Sequence, residues 1–263
     1  MKIKRLDRFF LSSITARFKK LQNMSITFLS CPPNMTIYCK DLPKDLVTLG
    51  LKSHTAFIAL DLNVTRNLVF LNLGLNCNLI DAQQIPCIQA IDMLRLHSIS
   101  IHTATEIVNN FANVTKLLLN CSKCSIGVAR KLIYGLKKPR FLKVESIEEG
   151  DSLFDGPALE ISSFHIRLQR NLLSTPIYFL LTSLPCLSHL TIDFCLCYSI
   201  SGLPKQHHLQ SLNIKKPHLY ATYLFLLNLY PNLVSLGMPT EDHQDYLHAL
   251  QESYPQVNSR ALL

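Results

Sequence analysis

The most regular feature of the chain is a short pattern of leucines and other apolar residues that recurs along most of its length. The pattern is Leu-x-x-Leu-x-Leu, in which Ile, Val, Phe or Met can replace Leu and x is any residue. Its second half places apolar residues at every other position, which predicts a short strand with one buried face. Eight copies are clear: Leu46/Leu49/Leu51, Leu68/Leu71/Leu73, Ile91/Leu94/Leu96, Val114/Leu117/Leu119, Ile161/Phe164/Ile166, Leu187/Leu190/Ile192, Leu209/Leu212/Ile214 and Leu233/Leu236/Met238.

The copies follow one another at a nearly constant interval. With two weaker copies, Met24/Thr27/Leu29 and Phe141/Val144/Ser146, successive middle positions are 20 to 27 residues apart. A single short strand cannot bury its leucines alone, so neighbouring copies are expected to stack into a parallel sheet with a continuous core.

Several segments between the predicted strands carry apolar residues at helical spacing. They predict helices at 103–114, 125–136, 174–184, 219–229 and 242–254. The motifs LPCL at 184–187 and YPNL at 230–233 follow two of these helices, and proline ends a helix because it cannot continue it. The segments 51–68 and 73–91 lack a clear helical pattern and are expected to be extended or 3₁₀. We therefore divide the chain into a basic N-terminal helix or cap (1–23), about ten repeats (24–240) and a C-terminal capping helix (241–263).

The alternation of these strand motifs with proline-ended helices resembles the leucine-rich repeats of the ribonuclease-inhibitor-like class, over roughly residues 24–263. The resemblance implies an α/β fold: a leucine-rich-repeat solenoid with a curved parallel sheet on the concave side and helices and irregular segments on the convex side. The class includes the repeat domains of F-box ubiquitin-ligase receptors. For that subclass the resemblance implies a non-enzymatic adaptor that recognises substrates and contacts the linker subunit joining F-box proteins to cullins. The motif LPKDL at 42–46 is similar to an F-box opening but leads directly into a strand, and we interpret it as part of a repeat.

The net charge of +8 at first suggests an acidic or nucleic-acid partner. The segment 1–20 carries seven Lys and Arg residues and one Asp, so most of the excess belongs to it and the repeats are close to neutral. Nucleic-acid binding is therefore not favoured, because it depends on clustered basic residues.

The expected location is cytoplasmic or nuclear. Mitochondrial import through the basic N-terminus is one alternative, and an extracellular, receptor-like fragment is another. No apolar, uncharged run is long enough to predict a transmembrane segment.

Motifs that carry chemistry are not found. The nine cysteines are odd in number and scattered, unlike a disulfide framework. Cys121 and Cys124 have the spacing of zinc ligands, but the second pair of a structural zinc site is missing. No glycine-rich phosphate loop and no hydrolase or metalloprotease motif occurs. We expect no catalytic residue, no metal and no cofactor, and predict that the chain is not an enzyme.

The candidate partner-binding residues are polar x positions of the motif, which are expected to line the concave face of the array. They are Asn72, Asp92, Arg95, Lys116, Lys143, Glu145, His165, His189, Gln210 and Asn213. Arg95, Lys116 and Lys143 are predicted to form a basic stripe that binds an acidic segment of a partner protein. The alternative is an ordinary solvated face with nothing bound.

Overall fold

The structure of the chain is a computed structural model. It describes residues 2–3, 8–28, 35–37, 42–60, 67–79, 91–97, 99–111, 113–120, 124–147, 153–168, 182–193, 208–214, 227–239, 252 and 254–262. The chain has an α/β fold with parallel strands and few helices. It divides into two compact units, Met1–Pro139 (unit 1) and Arg140–Leu263 (unit 2).

Unit 1 combines a parallel sheet with three helices. Its strands are β1 (Lys2–Ile3), β2 (Asn23–Phe28), β3 (Met35–Ile37), β4 (Thr48–Leu60), β5 (Phe70–Leu79), β6 (Met93–His97) and β7 (Lys116–Asn120), and its helices are α1 (Arg8–Arg17), α2 (Ile101–Asn110) and α3 (Ile126–Gly135). The strand order is β1-β2-β4-β5-β6-β7. After a register shift in β4 between Lys52 and Phe57, the second halves of β4 and β5 form a further parallel ladder, which β3 joins. The described parts of the segments 51–68 and 73–91 are thus mainly extended, which was one of the two expected conformations.

Unit 2 continues the strand pattern. Its strands are β8 (Phe141–Ile147), β9 (Ser163–Leu168), β10 (His189–Asp193), β11 (Ser211–Ile214), β12 (Ser235–Pro239) and β13 (Asn258–Leu262), paired in that order. Residues 227–229 are helical and lie at the end of the helix predicted at 219–229. Most of the helices predicted at 174–184 and 242–254 lies outside the described residues.

The apolar positions of the repeated motif form the core of both units. Every such position of the eight clear copies whose side chain is described is at most 3% exposed. The strands pair so that equivalent leucines stack: Leu71 lies between Leu49 and Leu94, and Leu94 lies between Leu71 and Leu117. Burial of one such side chain stabilises the fold by about 1.5–3 kcal/mol. The period-two prediction is therefore confirmed at these positions.

Eight strands, β4–β7 and β9–β12, begin with the same backbone hydrogen bonds to the repeat before them. Two consecutive N–H groups donate to one carbonyl oxygen, as Asp92 and Met93 do to Val69, at 3.1 and 3.2 Å. In the described part of the chain, eight carbonyls accept two such bonds: those of Gln22, Val47, Val69, Asp92, Arg140, Ser162, Ser188 and Gln210. We call this contact the paired-donor contact. Because it recurs at the start of successive strands, it holds the equivalent positions of neighbouring repeats side by side.

The two helices that follow β6 and β7 confirm the helices predicted at 103–114 and 125–136, although α2 (Ile101–Asn110) both begins and ends earlier than predicted. Both begin at a serine cap: the Ser100 hydroxyl accepts the Thr103 N–H at 3.1 Å, and the Ser125 hydroxyl accepts the Val128 N–H at 3.3 Å. Such a cap satisfies an N–H group that has no partner inside the helix. The apolar sides of both helices are buried.

Three sequence-based assignments are corrected by the strand pairing. Met24, not Thr27, lies opposite Leu49, because the alternating side chains of β2 that are buried are Met24 and Ile26. Leu142, not Val144, lies opposite Phe164 for the same reason.

The third correction concerns the C-terminal segment. The range 241–263 was predicted as a capping helix, but its last described residues form strand β13, which pairs with β12 in parallel. The missed signal is YPQV at 254–257, which repeats YPNL at 230–233. Both motifs form a turn closed by an N–H donated to the tyrosine carbonyl, from Leu233 to Tyr230 at 3.1 Å and from Val257 to Tyr254 at 3.0 Å.

A close approach of α2 and α3 gives a test of this packing. A Cβ atom at Gly135 would lie 2.7 Å from both methyl carbons of Val108, whereas one at Gly127 would meet nothing within 4 Å. We expect Gly135→Ala to lower the free energy of unfolding by about 1–3 kcal/mol through overpacking. Gly127→Ala is the control in the same helix and should leave it unchanged or raise it by up to about 1 kcal/mol. Urea denaturation measures both, and equal effects of the two variants would contradict the contact.

Candidate functional site

The side of each sheet that faces away from the buried leucines carries the candidate binding residues. In unit 1, one row of residues across neighbouring strands is Thr48, Phe70, Met93 and Lys116, and a second row is Gly50, Asn72, Arg95 and Leu118. In unit 2 the corresponding rows are Ser163, His189, Ser211 and Ser235, and His165, Thr191, Asn213 and Gly237. We call this side of each unit its open face.

All ten predicted binding residues are described, and none is buried. Asn72, Asp92, Arg95 and Lys116 belong to unit 1, and Lys143, Glu145, His165, His189, Gln210 and Asn213 belong to unit 2. Arg95 lies opposite Leu118, and Lys116 lies opposite Met93, two residues earlier on β6. The first two members of the predicted basic stripe are therefore on neighbouring strands but in different rows.

Asp92 and Lys116 neutralise each other at the edge of the open face of unit 1. The Lys116 Nζ lies 3.1 Å from Asp92 Oδ2, and the Thr115 hydroxyl donates to Asp92 Oδ1. The hydrogen bond from Thr115, together with the charge of Lys116, outweighs partial burial and holds the pKa of the Asp92 carboxyl below its ordinary value.

Two ion pairs lie among the described side chains on the open face of unit 2. Lys143 Nζ lies 2.8 Å from Glu145 Oε1, and Arg167 Nε lies 3.7 Å from Asp193 Oδ2. The third member of the predicted basic stripe is thus matched by a carboxylate two residues away.

The remaining predicted residues of unit 2 lie among hydroxyl and amide groups. His165 stands opposite Lys143 and Thr191, and Asn213 stands opposite Thr191 and Gly237. His189 Nδ1 is 2.8 Å from the Ser188 hydroxyl. The Gln210 carbonyl accepts a paired-donor contact. This face is polar and close to electrically neutral.

The open face of unit 1 is different, because it combines apolar side chains with unneutralised positive charge. Val69 is 41% exposed, and Phe70, Met93 and Leu118 are partly exposed. Arg95 lies on the same face, and within the described ranges no carboxylate is at ion-pair distance from it.

Lys52 adds a second cation to this face. It too has no carboxylate partner among the residues that the structure describes. Its aliphatic stem leans over the neighbouring strand: a Cβ atom at Gly74 would lie 3.1 Å from Lys52 Cγ. The sequence did not predict four residues of this face: Lys52, Phe70, Met93 and Leu118. Each occupies or adjoins an x position of the motif, so a search for apolar as well as polar x positions would have found them.

A cavity of ligand size, with a volume of about 470 Å³, lies among the described residues of unit 2. Its lining includes Cys186, His208 and Asn232, each of which precedes the first buried leucine of its repeat, in three consecutive repeats. Cys186 is a free, exposed thiol.

The described parts of the chain hold no group of three or more His, Cys, Asp and Glu side chains placed to bind a metal ion. Of the two cysteines with zinc-ligand spacing, Cys121 lies outside the described residues and Cys124 is buried. No described helix is both long and apolar enough to cross a membrane. In comparisons with known proteins, no family model matches the chain and no curated protein matches it significantly.

The Asp92 contacts predict a pH-dependent contribution to stability. A depressed pKa in the folded state means that the contribution is present at neutral pH and is lost as the pH falls below the ordinary value of 3.8 and through the folded-state pKa. We expect Asp92→Asn to lower the free energy of unfolding by about 0.2–1 kcal/mol at pH 7, a range set by the exposure of the pair, and by less at pH 3. Glu106→Gln, at an α2 residue with no ion pair among the described residues, is the control. A loss for Asp92→Asn that is equal at both pH values would contradict this origin.

Tyr230 provides a second test, because its side chain is 1% exposed and its hydroxyl has no hydrogen-bond partner in the described part of the chain. Burial raises the pKa of Tyr230 from 10.0, so the folded state is expected to lose stability above pH 10. Tyr230→Phe should leave stability at pH 7 unchanged or raise it by up to about 1 kcal/mol, and should reduce the alkaline loss. Tyr254→Phe is the matched control: its hydroxyl donates to Asn228 Oδ1 at 3.1 Å, so stability should fall slightly. Denaturant titrations at pH 7 and 10.5 compare the variants, and a destabilised Tyr230→Phe would contradict an unsatisfied hydroxyl.

Proposed function

We propose that the chain is a leucine-rich-repeat protein of the ribonuclease-inhibitor-like class and acts as a non-enzymatic scaffold that binds a partner protein through the open face of its parallel sheet. The observation that carries the proposal is the contrast between the two sides of the strands. The core side repeats the same buried leucines from strand to strand, whereas the open side carries different residues on each strand.

The strand framework supports binding because it holds the open-face residues in a fixed array. Neighbouring strands are about 4.8 Å apart and alternate residues of one strand are about 7 Å apart. The paired-donor contacts fix the starts of β4–β7 and β9–β12 against the repeat before each of them. A partner that binds such a face meets side chains whose backbone positions are already ordered, which lowers the entropy lost on binding.

The apolar residues of the open face of unit 1 favour a protein partner over a solvated surface. Phe70 and Met93 are direct neighbours on two adjacent strands, and both side chains are partly exposed. Burial of their exposed apolar parts under a partner would stabilise the complex.

The more specific role implied by the family resemblance, substrate recognition for an F-box-type ubiquitin ligase, remains a prediction, as does a cytoplasmic or nuclear location. Recovery of the cullin linker subunit with the tagged chain would support that role, and its absence would count against it.

Variants of the two sides of unit 1 test the scaffold proposal. We expect Phe70→Ser/Met93→Ser to lose the proteins that cross-link to the tagged full chain in cells, because these residues lie on the open face. Ile101→Ser/Ile126→Ser is the control: Ile101 and Ile126 are 53% and 37% exposed, but they begin the helices α2 and α3. Quantitative mass spectrometry compares the captured proteins. Equal capture by all three chains, with far-UV circular dichroism unchanged, would contradict binding through the open face.

A further inference from the structure

We propose that the open face of unit 1 binds an extended peptide segment that carries a large apolar residue and an acidic residue with one residue between them. This inference rests on the proposed function and names the class of partner that this face recognises.

The apolar part of the segment is expected to lie over Phe70 and Met93. These two residues are direct neighbours on β5 and β6. Because neighbouring strands are about 4.8 Å apart, their side chains stand next to each other on the open face. A large aliphatic or aromatic side chain placed here would bury both, which is the interaction that commonly anchors a protein segment.

The acidic part is expected to lie over β5, next to the apolar part. Arg95 follows Met93 by two residues on β6, which places it about 7 Å further along the strand on the same face. Lys52 belongs to β4, on the other side of β5, and its stem leans over Gly74 of β5. The two cations therefore lie on either side of β5, with Lys52 two residues further along the sheet than Arg95, and a carboxylate above β5 between them can interact with both.

The spacing within the bound segment follows from this geometry. Alternate residues of an extended peptide are also about 7 Å apart and point to the same side. The distance from the apolar surface to Arg95 therefore equals the distance between alternate residues of a peptide that runs along the strands. The apolar and the acidic residue of the bound segment should have one residue between them.

Three other open-face cations whose ion pairs the structure describes do not offer the same attraction. Lys116 is paired with Asp92, Lys143 with Glu145, and Arg167 with Asp193. A partner carboxylate at these places would compete with one that is already present. Lys52 and Arg95 have no such competitor within the described residues, so charge complementarity selects the open face of unit 1 and an acidic occupant.

Peptide display against the purified full chain tests the inference. A library of random twelve-residue peptides is selected on the wild-type chain, on Lys52→Glu/Arg95→Glu, and on the control Lys131→Glu/Lys137→Glu, which makes the same charge change on and after α3. We expect peptides with an acidic and a large apolar residue two positions apart to be enriched on the wild type and on the control, and to be lost on Lys52→Glu/Arg95→Glu.

The affinity of a selected peptide gives the quantitative arm. Fluorescence polarisation should show binding weakened by about tenfold or more in Lys52→Glu/Arg95→Glu and by less than about twofold in the control. Screening should weaken wild-type binding several-fold between 0.05 and 0.5 M NaCl. Thermal unfolding verifies that each variant is folded, and Arg95→Gln, which only removes a charge, replaces the double variant if that one is unstable.

Three results would overturn the inference: no enriched peptides, enriched peptides without acidic residues, or acidic peptides that bind equally to Lys52→Glu/Arg95→Glu. None of these would remove the scaffold proposal if capture in cells still depends on Phe70 and Met93. If capture is also independent of the open face, both proposals fail.

Discussion

The paired-donor contact at the start of β4–β7 and β9–β12 is the constraint on which the rest of the structure depends. Two adjacent N–H groups can share one carbonyl only if the chain enters the strand at one place and in one direction. Once that entry is fixed, alternation along the strand decides which residues join the leucine core and which join the open face. A strand displaced by one residue would exchange the two sets, at the cost of burying polar residues and exposing leucine.

The sequence predicts the strands best where its apolar residues leave a single register. Leu49, Leu71, Leu94 and Leu117 were aligned correctly because each is flanked by apolar partners at the motif positions on either side. Thr27 and Val144 were placed wrongly because the segments around them contain apolar residues in two competing registers, and only the neighbouring strand chooses between them. Strand β13 was missed because Ser259 and Ala261 occupy the positions that pair with Leu236 and Met238 of β12. The repeated motif is therefore recognisable in the turn before β13 but not in the strand itself.

The candidate site was predicted less completely than the core, for an electrostatic reason. A sequence gives the charge of Lys116 and Lys143 but not the carboxylate that folding places beside each of them, and in the structure both are paired. Lys52 and Arg95, which have no carboxylate partner among the described residues, are not distinguished from them by sequence. The apolar members of the open face were overlooked because apolar residues were assigned to the core, although a strand in a solvated sheet has room for them on both sides.

The turn that precedes β13 shows what the strand entry means for variation in chain length. The motifs at 230–233 and 254–257 repeat after 24 residues, yet β12 and β13 pair at an interval of 23, so one residue is absorbed between turn and strand without loss of pairing. The segments that follow the first half of β4, β6 and β7 also differ in form. The first is the extended second half of β4, and the other two contain the helices α2 and α3. Insertions and deletions in these connections can therefore accumulate while the open-face residues keep their neighbours, so that the size of a repeat and the specificity of its surface are free to evolve independently.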